Sequence, residues 1–174
     1  MNEKEREDFL ALLAQTRDEF LASLDGVSEE QAQLKPAPDR WSIVECVEHV
    51  VVAEHAMYIG ITTRRTPRTS TGEGRERAIM AMASDRSRKF EAPETARPKG
   101  RFGTLAQNVE KFRENRARTM EYVASCGEDL RAFELQHPMA GLVTAQECLA
   151  IIVAHPSRHA KQIHEARKSF ARGA

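Results

Sequence analysis

The sequence predicts an all-α protein: a four-helix bundle with a long crossover connection between its second and third helices. Three observations predict it. Four long stretches repeat apolar residues at three- and four-residue spacing, the signature of one buried helix face. Two of them open on a Ser/Thr-x-x-Glu pattern, which caps a helix start. No strand-like alternation, G-x-G-x-x-G, P-loop or G-x-S-x-G sequence occurs to suggest a sheet-based enzyme fold.

The first helix is expected from about residue 3 to 24, with Phe9, Leu12, Leu13, Phe20, Leu21 and Leu24 inward and Asp25-Gly26 ending it. A proline-rich connection, Leu34 to Arg40, follows, with one helical turn possible at Ser28-Glu29-Glu30-Gln31. The second helix begins at the capping box Ser42-Ile43-Val44-Glu45, with Trp41 just ahead, and ends near residue 63. Its apolar face is Val44, Val47, Val50, Val51, Met57 and Tyr58. Residues 64–101 form the long connection. Arg64 to Gly74 has the composition of a loop, residues 76–90 can form a short helix, and Pro93 and Pro98 stop it continuing. The third helix spans about 104–125. Leu105, Val109, Phe112, Met120 and Val123 are expected inside, with Glu110, Lys111, Arg113, Glu114 and Arg116 outside. A loop containing His137-Pro138 and Gly141 leads to the last helix, about 144–169, opened by Thr144 and Glu147.

A length of 174 residues suits a single domain, 1–174, with a real core. No apolar run approaches the roughly 20 residues that cross a bilayer, so no membrane association is expected. The charged N-terminus lacks an apolar signal core, and a cytoplasmic location is the expectation. Lys plus Arg equals Asp plus Glu at 26 each, which gives no electrostatic reason to expect nucleic-acid binding. Residues 64–101, however, hold 11 Lys/Arg against 5 Asp/Glu. They read either as a solvated basic linker or as a basic lid attracting an anionic substrate. Cys46, Cys126 and Cys148 are isolated and odd in number, which argues against disulfides or a zinc ribbon and for buried thiols. Cys46 is of interest because it lies one turn from His49.

His155 and His159 stand four residues apart on the last helix, one turn apart on one face. They extend the apolar face of Cys148, Ile152 and Ile163, so they point inward. His49 lies mid-way along the second helix among Cys46, Val47, Val50 and Ala53. Three inward imidazoles from two helices can hold a metal and leave a position open. They can equally be packed core histidines bonded to neighbours. His55, His137 and His164 read as surface or structural residues.

Trp41-Ser42-Ile43-Val44-Glu45-Cys46-Val47-Glu48-His49 is similar to the pattern W-S-x-x-E-x-x-x-H. His155-Pro156-Ser157-Arg158-His159-Ala160-Lys161-Gln162-Ile163 is similar to H-x-x-x-H-x-x-Q-I. With Pro36-Ala37-Pro38 and His137-Pro138-Met139-Ala140-Gly141, these resemble the DinB-like/YfiT-like superfamily of metal-dependent enzymes along nearly the whole chain. The resemblance implies a DinB/YfiT-type bundle, commonly a homodimer. It implies a divalent metal ion (zinc, nickel or iron) held by His49, His155 and His159. Relatives in that superfamily include S-transferases and an isomerase that use bacillithiol or mycothiol. The implied activity is therefore a metal-dependent hydrolase or a thiol S-transferase acting on a small molecule, with a low-molecular-weight thiol as one partner. The alternative is a non-catalytic, stress-related metal- or ligand-binding bundle.

Pro156 departs from a plain helix between the two histidines. It cannot bond the Ile152 carbonyl, and a kink that splays the pair is expected. Glu45 is committed to the capping box or else accepts an imidazole N–H. Gln162, three residues after His159, can do the same. No residue stands out as a general base.

Overall fold

Side chains that reach back to the backbone set the helix starts of this chain. In the computed structural model, which describes residues 1–70, 74–87 and 89–173, the elements run as follows. They are α1 (Glu3–Ala22), α2 (Glu29–Gln33), α3 (Ile43–Ile59), β1 (Thr66–Pro67), α4 (Glu76–Ser84), α5 (Leu105–Ser125), β2 (Phe133–His137), β3 (Gly141–Thr144) and α6 (Ala145–Gly173). Ser42 and Glu45 form the capping box of α3, and Thr144 and Glu147 make the same exchange at the start of α6. Asn2 with Glu5, Ser28 with Gln31 and Thr104 with Gln107 repeat it at α1, α2 and α5.

The long helices pack as a bundle: α1 lies against α5 and α6, and α3 against the same two. The long connection after α3 begins with a π-helical turn, Gly60–Arg64, and carries α4 onto α6. Of the loop expected over 64–74, residues 71–73 lie outside the described residues. The core has two parts. One gathers Leu13, Ile61, Leu149 and Ile152, and the other Phe20, Val47, Phe112 and Ile163. No helix among the described residues is long and apolar enough to cross a membrane.

Two features depart from the sequence reading. Beside the helical bundle that the sequence predicts, β1, β2 and β3 form a small antiparallel sheet in that order. β2 and β3 pair Glu134 with Thr144 through His137 with Gly141. Strands of five, four and two residues are too short to stand out, and in β2 the buried position is the polar Glu134 while Phe133 and Leu135 are only half-buried. The β2–β3 turn has three residues and closes on Gly141 at φ 71°, the left-handed position such turns need.

Arg116, expected on the solvated face of α5, is fully buried. Its Nε and Nη2 donate to the two carboxylate oxygens of Glu54, each at 3.0 Å. Nη1 donates to the Leu13 carbonyl and the Thr16 hydroxyl, and Nη2 also reaches the Ile152 carbonyl at 3.2 Å. All five guanidinium N–H groups therefore have acceptors, contributed by α1, α3 and α6. The last contact bears on Pro156. The Ile152 carbonyl is the one that Pro156 cannot bond, and a guanidinium from another helix bonds it instead. α6 continues as helix through Pro156.

The cysteines are free and buried. Burial pushes the Cys46 and Cys148 thiols up to about 12. Neither thiol should react with Ellman's reagent in native protein at pH 8, and both should react in guanidinium. Native labelling of either would contradict this burial.

Candidate metal centre

His49 comes from the middle of α3, and His155 and His159 from successive turns of α6. The Nε2 atoms of His49 and His155 are 3.2 Å apart, and those of His159 and His155 are 3.0 Å apart. Each of the three rings offers a nitrogen within 4.8 Å of the other two. His49 and His159 are buried, while His155 keeps partial exposure. The α6 pair is not splayed across Pro156.

The second ring nitrogens decide what the first can do. His49 Nδ1 lies 2.8 Å from the Ala96 carbonyl, which can only accept, so that nitrogen carries the proton. His159 Nδ1 lies 3.1 Å from Gln162 Oε1, and with the amide in this orientation its proton sits on Nδ1 as well. Both Nε2 atoms are then bare lone pairs facing His155 Nε2. One proton on His155 can serve one of them well, which leaves a lone pair facing a lone pair. A cation satisfies all three at once. Ligand nitrogens about 2.0–2.1 Å from one zinc-like ion on a shared face stand roughly 3.0–3.4 Å apart, as the His49–His155 and His155–His159 pairs do. Burial first, with the Arg158 charge adding to it, holds all three imidazoles below their ordinary range, and His155 and His159 well below. Neutral imidazole is the form that binds metal.

Neighbouring groups hold this arrangement. Trp41 packs on His49 with ring centroids 4.9 Å apart. Glu48, almost fully buried, accepts from the backbone N–H of Lys99 and of Gly100 and from Arg101 Nη1. That ties down the connection just after Ala96. Glu48→Ala is expected to release it: amide exchange at Lys99 and Gly100 should quicken by at least tenfold. Unchanged exchange would remove Glu48 from this role.

The structure distributes the other sequence candidates unevenly. Glu45 accepts from the Ser42 backbone N–H and pairs with Lys35 at 2.9 Å, so it serves the helix start. Gln162 meets His159. Cys46 sits in the core around Val47 and Ile163. His55 and His164 are exposed.

A cavity of about 450 Å³ opens onto the three histidines. Ala53, Met57, Ala96 and Ile151 form apolar wall, and Met82, Phe90 and Met139 stand exposed while lining the same space. Arg40, Arg86, Lys89 and Arg158 line it against Asp39 and Glu91. Arg86 and Lys89 belong to the basic connection, which therefore covers the site. Arg86 and Arg40 both bond Glu165, fastening that cover to α6. His137, which the sequence reading set aside, also lines the cavity.

Fold and site together define a helical-bundle protein with a candidate metal centre between two of its helices. The chain belongs to the DinB superfamily, whose sequence profile matches residues 12–163. It is 25% identical over 167 residues to the uncharacterized protein YuaE of Bacillus subtilis (strain 168), covering 94% of this chain and 99% of YuaE. YfiT from Bacillus subtilis, described as a probable metal-dependent hydrolase with an unusual four-helix bundle topology, superposes with a TM-score of 0.61 at 12% identity. The match covers 98% of this chain and 90% of YfiT. A conserved protein from Enterococcus faecalis gives a TM-score of 0.66 at 13% identity, with 98% of each chain covered. These two likenesses concern the fold.

Proposed function

We propose that the protein is a metal-dependent enzyme that transfers a group of a small-molecule substrate to water or to a thiol. His49, His155 and His159 would hold one divalent ion. The convergence of their three Nε2 atoms, two with their tautomers fixed by Ala96 and Gln162, carries this reading. Such an ion supplies Lewis acidity and brings a water or thiol into its reactive form near neutral pH. The description of YfiT as a probable metal-dependent hydrolase supports the same reading.

The chain's own residues do the rest. Ala96 and Gln162 orient two imidazoles, and Trp41 limits the movement of His49. The apolar wall excludes bulk water and receives the uncharged part of a substrate. Arg40, Arg86, Lys89 and Arg158 favour a substrate or thiol cosubstrate that carries a carboxylate or phosphate.

The test is elemental analysis of protein purified without a histidine tag, with His49→Ala alongside. One divalent ion per chain is expected in the first and none in the second. A screen of activated esters, with and without added thiol, then separates transfer to water from transfer to thiol. Tag-free protein with no stoichiometric metal after incubation with zinc, nickel and iron(II) would remove the reading. An anionic substrate should also show a Michaelis constant that rises with salt and rises about tenfold in Arg86→Ala.

A further inference from the structure

His137, at the last position of β2, brings the hairpin to the cavity that the three histidines line. Its Nδ1 accepts from two backbone donors in the turn that follows, the N–H of Met139 at 3.2 Å and of Ala140 at 3.1 Å. Backbone N–H groups can only donate, so Nδ1 must be bare and the ring proton must sit on Nε2. This fixes the tautomer by geometry, and it also disfavours the imidazolium, whose Nδ1–H would meet two donors. Burial acts in the same direction. No described residue accepts a hydrogen bond from Nε2. The ring lines the cavity that His49, His155 and His159 line, and it is close enough to His155 to perturb it electrostatically.

We infer that His137 is a substrate-binding residue: a neutral, pre-oriented Nε2–H that donates a hydrogen bond to a carbonyl or carboxylate oxygen of a ligand seated over the three histidines. The inference rests on the metal-centre reading above and adds a polar anchor to it from a different element. A donor with a fixed tautomer needs no proton rearrangement when the ligand arrives. The cavity thus offers three nitrogens that accept, one that donates, and an apolar rim of Met82, Phe90 and Met139. That set suits a small carbonyl or carboxylate compound with an uncharged body.

The experiment separates this role from a merely structural one, since the same ring caps a turn. His137→Asn supplies a side-chain oxygen to accept from the N–H groups of residues 139 and 140, as Asn does in turns, while its own N–H2 falls near the position of the ring's Cδ2, short of where Nε2 donates. His137→Phe removes both. Zinc-loaded wild type and both variants are titrated with acetohydroxamate, a small carbonyl-bearing chelator. Each should retain one zinc per chain. Affinity should fall at least threefold, and roughly five- to tenfold, in both variants, as expected for one neutral hydrogen bond. His137→Asn should keep the wild-type melting temperature. Binding within threefold of wild type in His137→Asn overturns the inference and leaves the metal centre standing. Failure of the wild type to take up zinc overturns the metal centre and this inference with it. Independently of metal, the ¹⁵N shifts of the imidazole should show Nε2 protonated and Nδ1 bare. The opposite tautomer overturns the inference outright.

Discussion

Arg116→Ala is expected to lower the folding stability of this protein by roughly 3–5 kcal/mol, the cost typical of breaking a buried ion pair from one side. Its guanidinium is fully buried, and its partner Glu54 is 2% exposed. Truncation leaves the Glu54 carboxylate in the core with only the Thr119 hydroxyl as a donor. It also orphans the Ile152 carbonyl in an apolar setting, whereas the Leu13 carbonyl, inside α1, keeps its helical donor. Ile152 cannot recover internally, because the residue four positions on is Pro156. The double variant Glu54→Leu/Arg116→Met removes both charges at similar volume. It should recover part of the loss, while the unpaired Ile152 carbonyl keeps it below wild type. Urea unfolding measures both. A loss under about 1 kcal/mol for Arg116→Ala, at unchanged m-value, would mean that the pair does not organise the bundle.

The second large effect concerns the metal. At zinc concentrations a hundred times the dissociation constant, the wild type should gain about 2.7 kcal/mol of stability by mass action. For a chain of 174 residues that is a rise of roughly 5–11 °C in melting temperature. His155→Ala should lose nearly all of the rise, because His155 is the ring whose Nε2 lies within hydrogen-bonding distance of both others. Without zinc, the same variant relieves the clash of lone pairs and opens His155 Nδ1, a buried atom with no described partner, to replacement. Its metal-free stability should therefore be close to that of the wild type. Calorimetry with and without zinc reads both. Equal zinc-induced shifts in wild type and variant would place the ion elsewhere.

How much of this was legible in the sequence depends on how local the cause is. The long helices were, because apolar spacing and capping boxes act within a turn or two. The sheet was not: β2 and β3 are held by each other and by β1, across 68 residues in the case of Thr66 and Glu134. Arg116 was misplaced because arginine on an amphipathic helix reads as solvent-facing. The signal was nevertheless there, since Phe112, Arg116, Thr119 and Val123 form one stripe at helical spacing and all are buried. The shared face of His155 and His159 follows from spacing alone. That His49 meets them is a tertiary fact, 106 residues away in sequence from His155, and spacing could not supply it. His137 reads in the sequence as a loop residue ahead of a proline. Its place at the cavity depends on the hairpin that sequence reading left out.

The half-exposed rim of the cavity has a chemical consequence of its own. Met82 is 39% exposed and Met139 46%, whereas Met57, deeper in the same wall, is 8% exposed. Peroxide therefore meets the two outer thioethers first and turns them into polar, chiral sulfoxides. The entrance would become wetter while the interior stayed packed, and reductases could reverse the change without the protein unfolding.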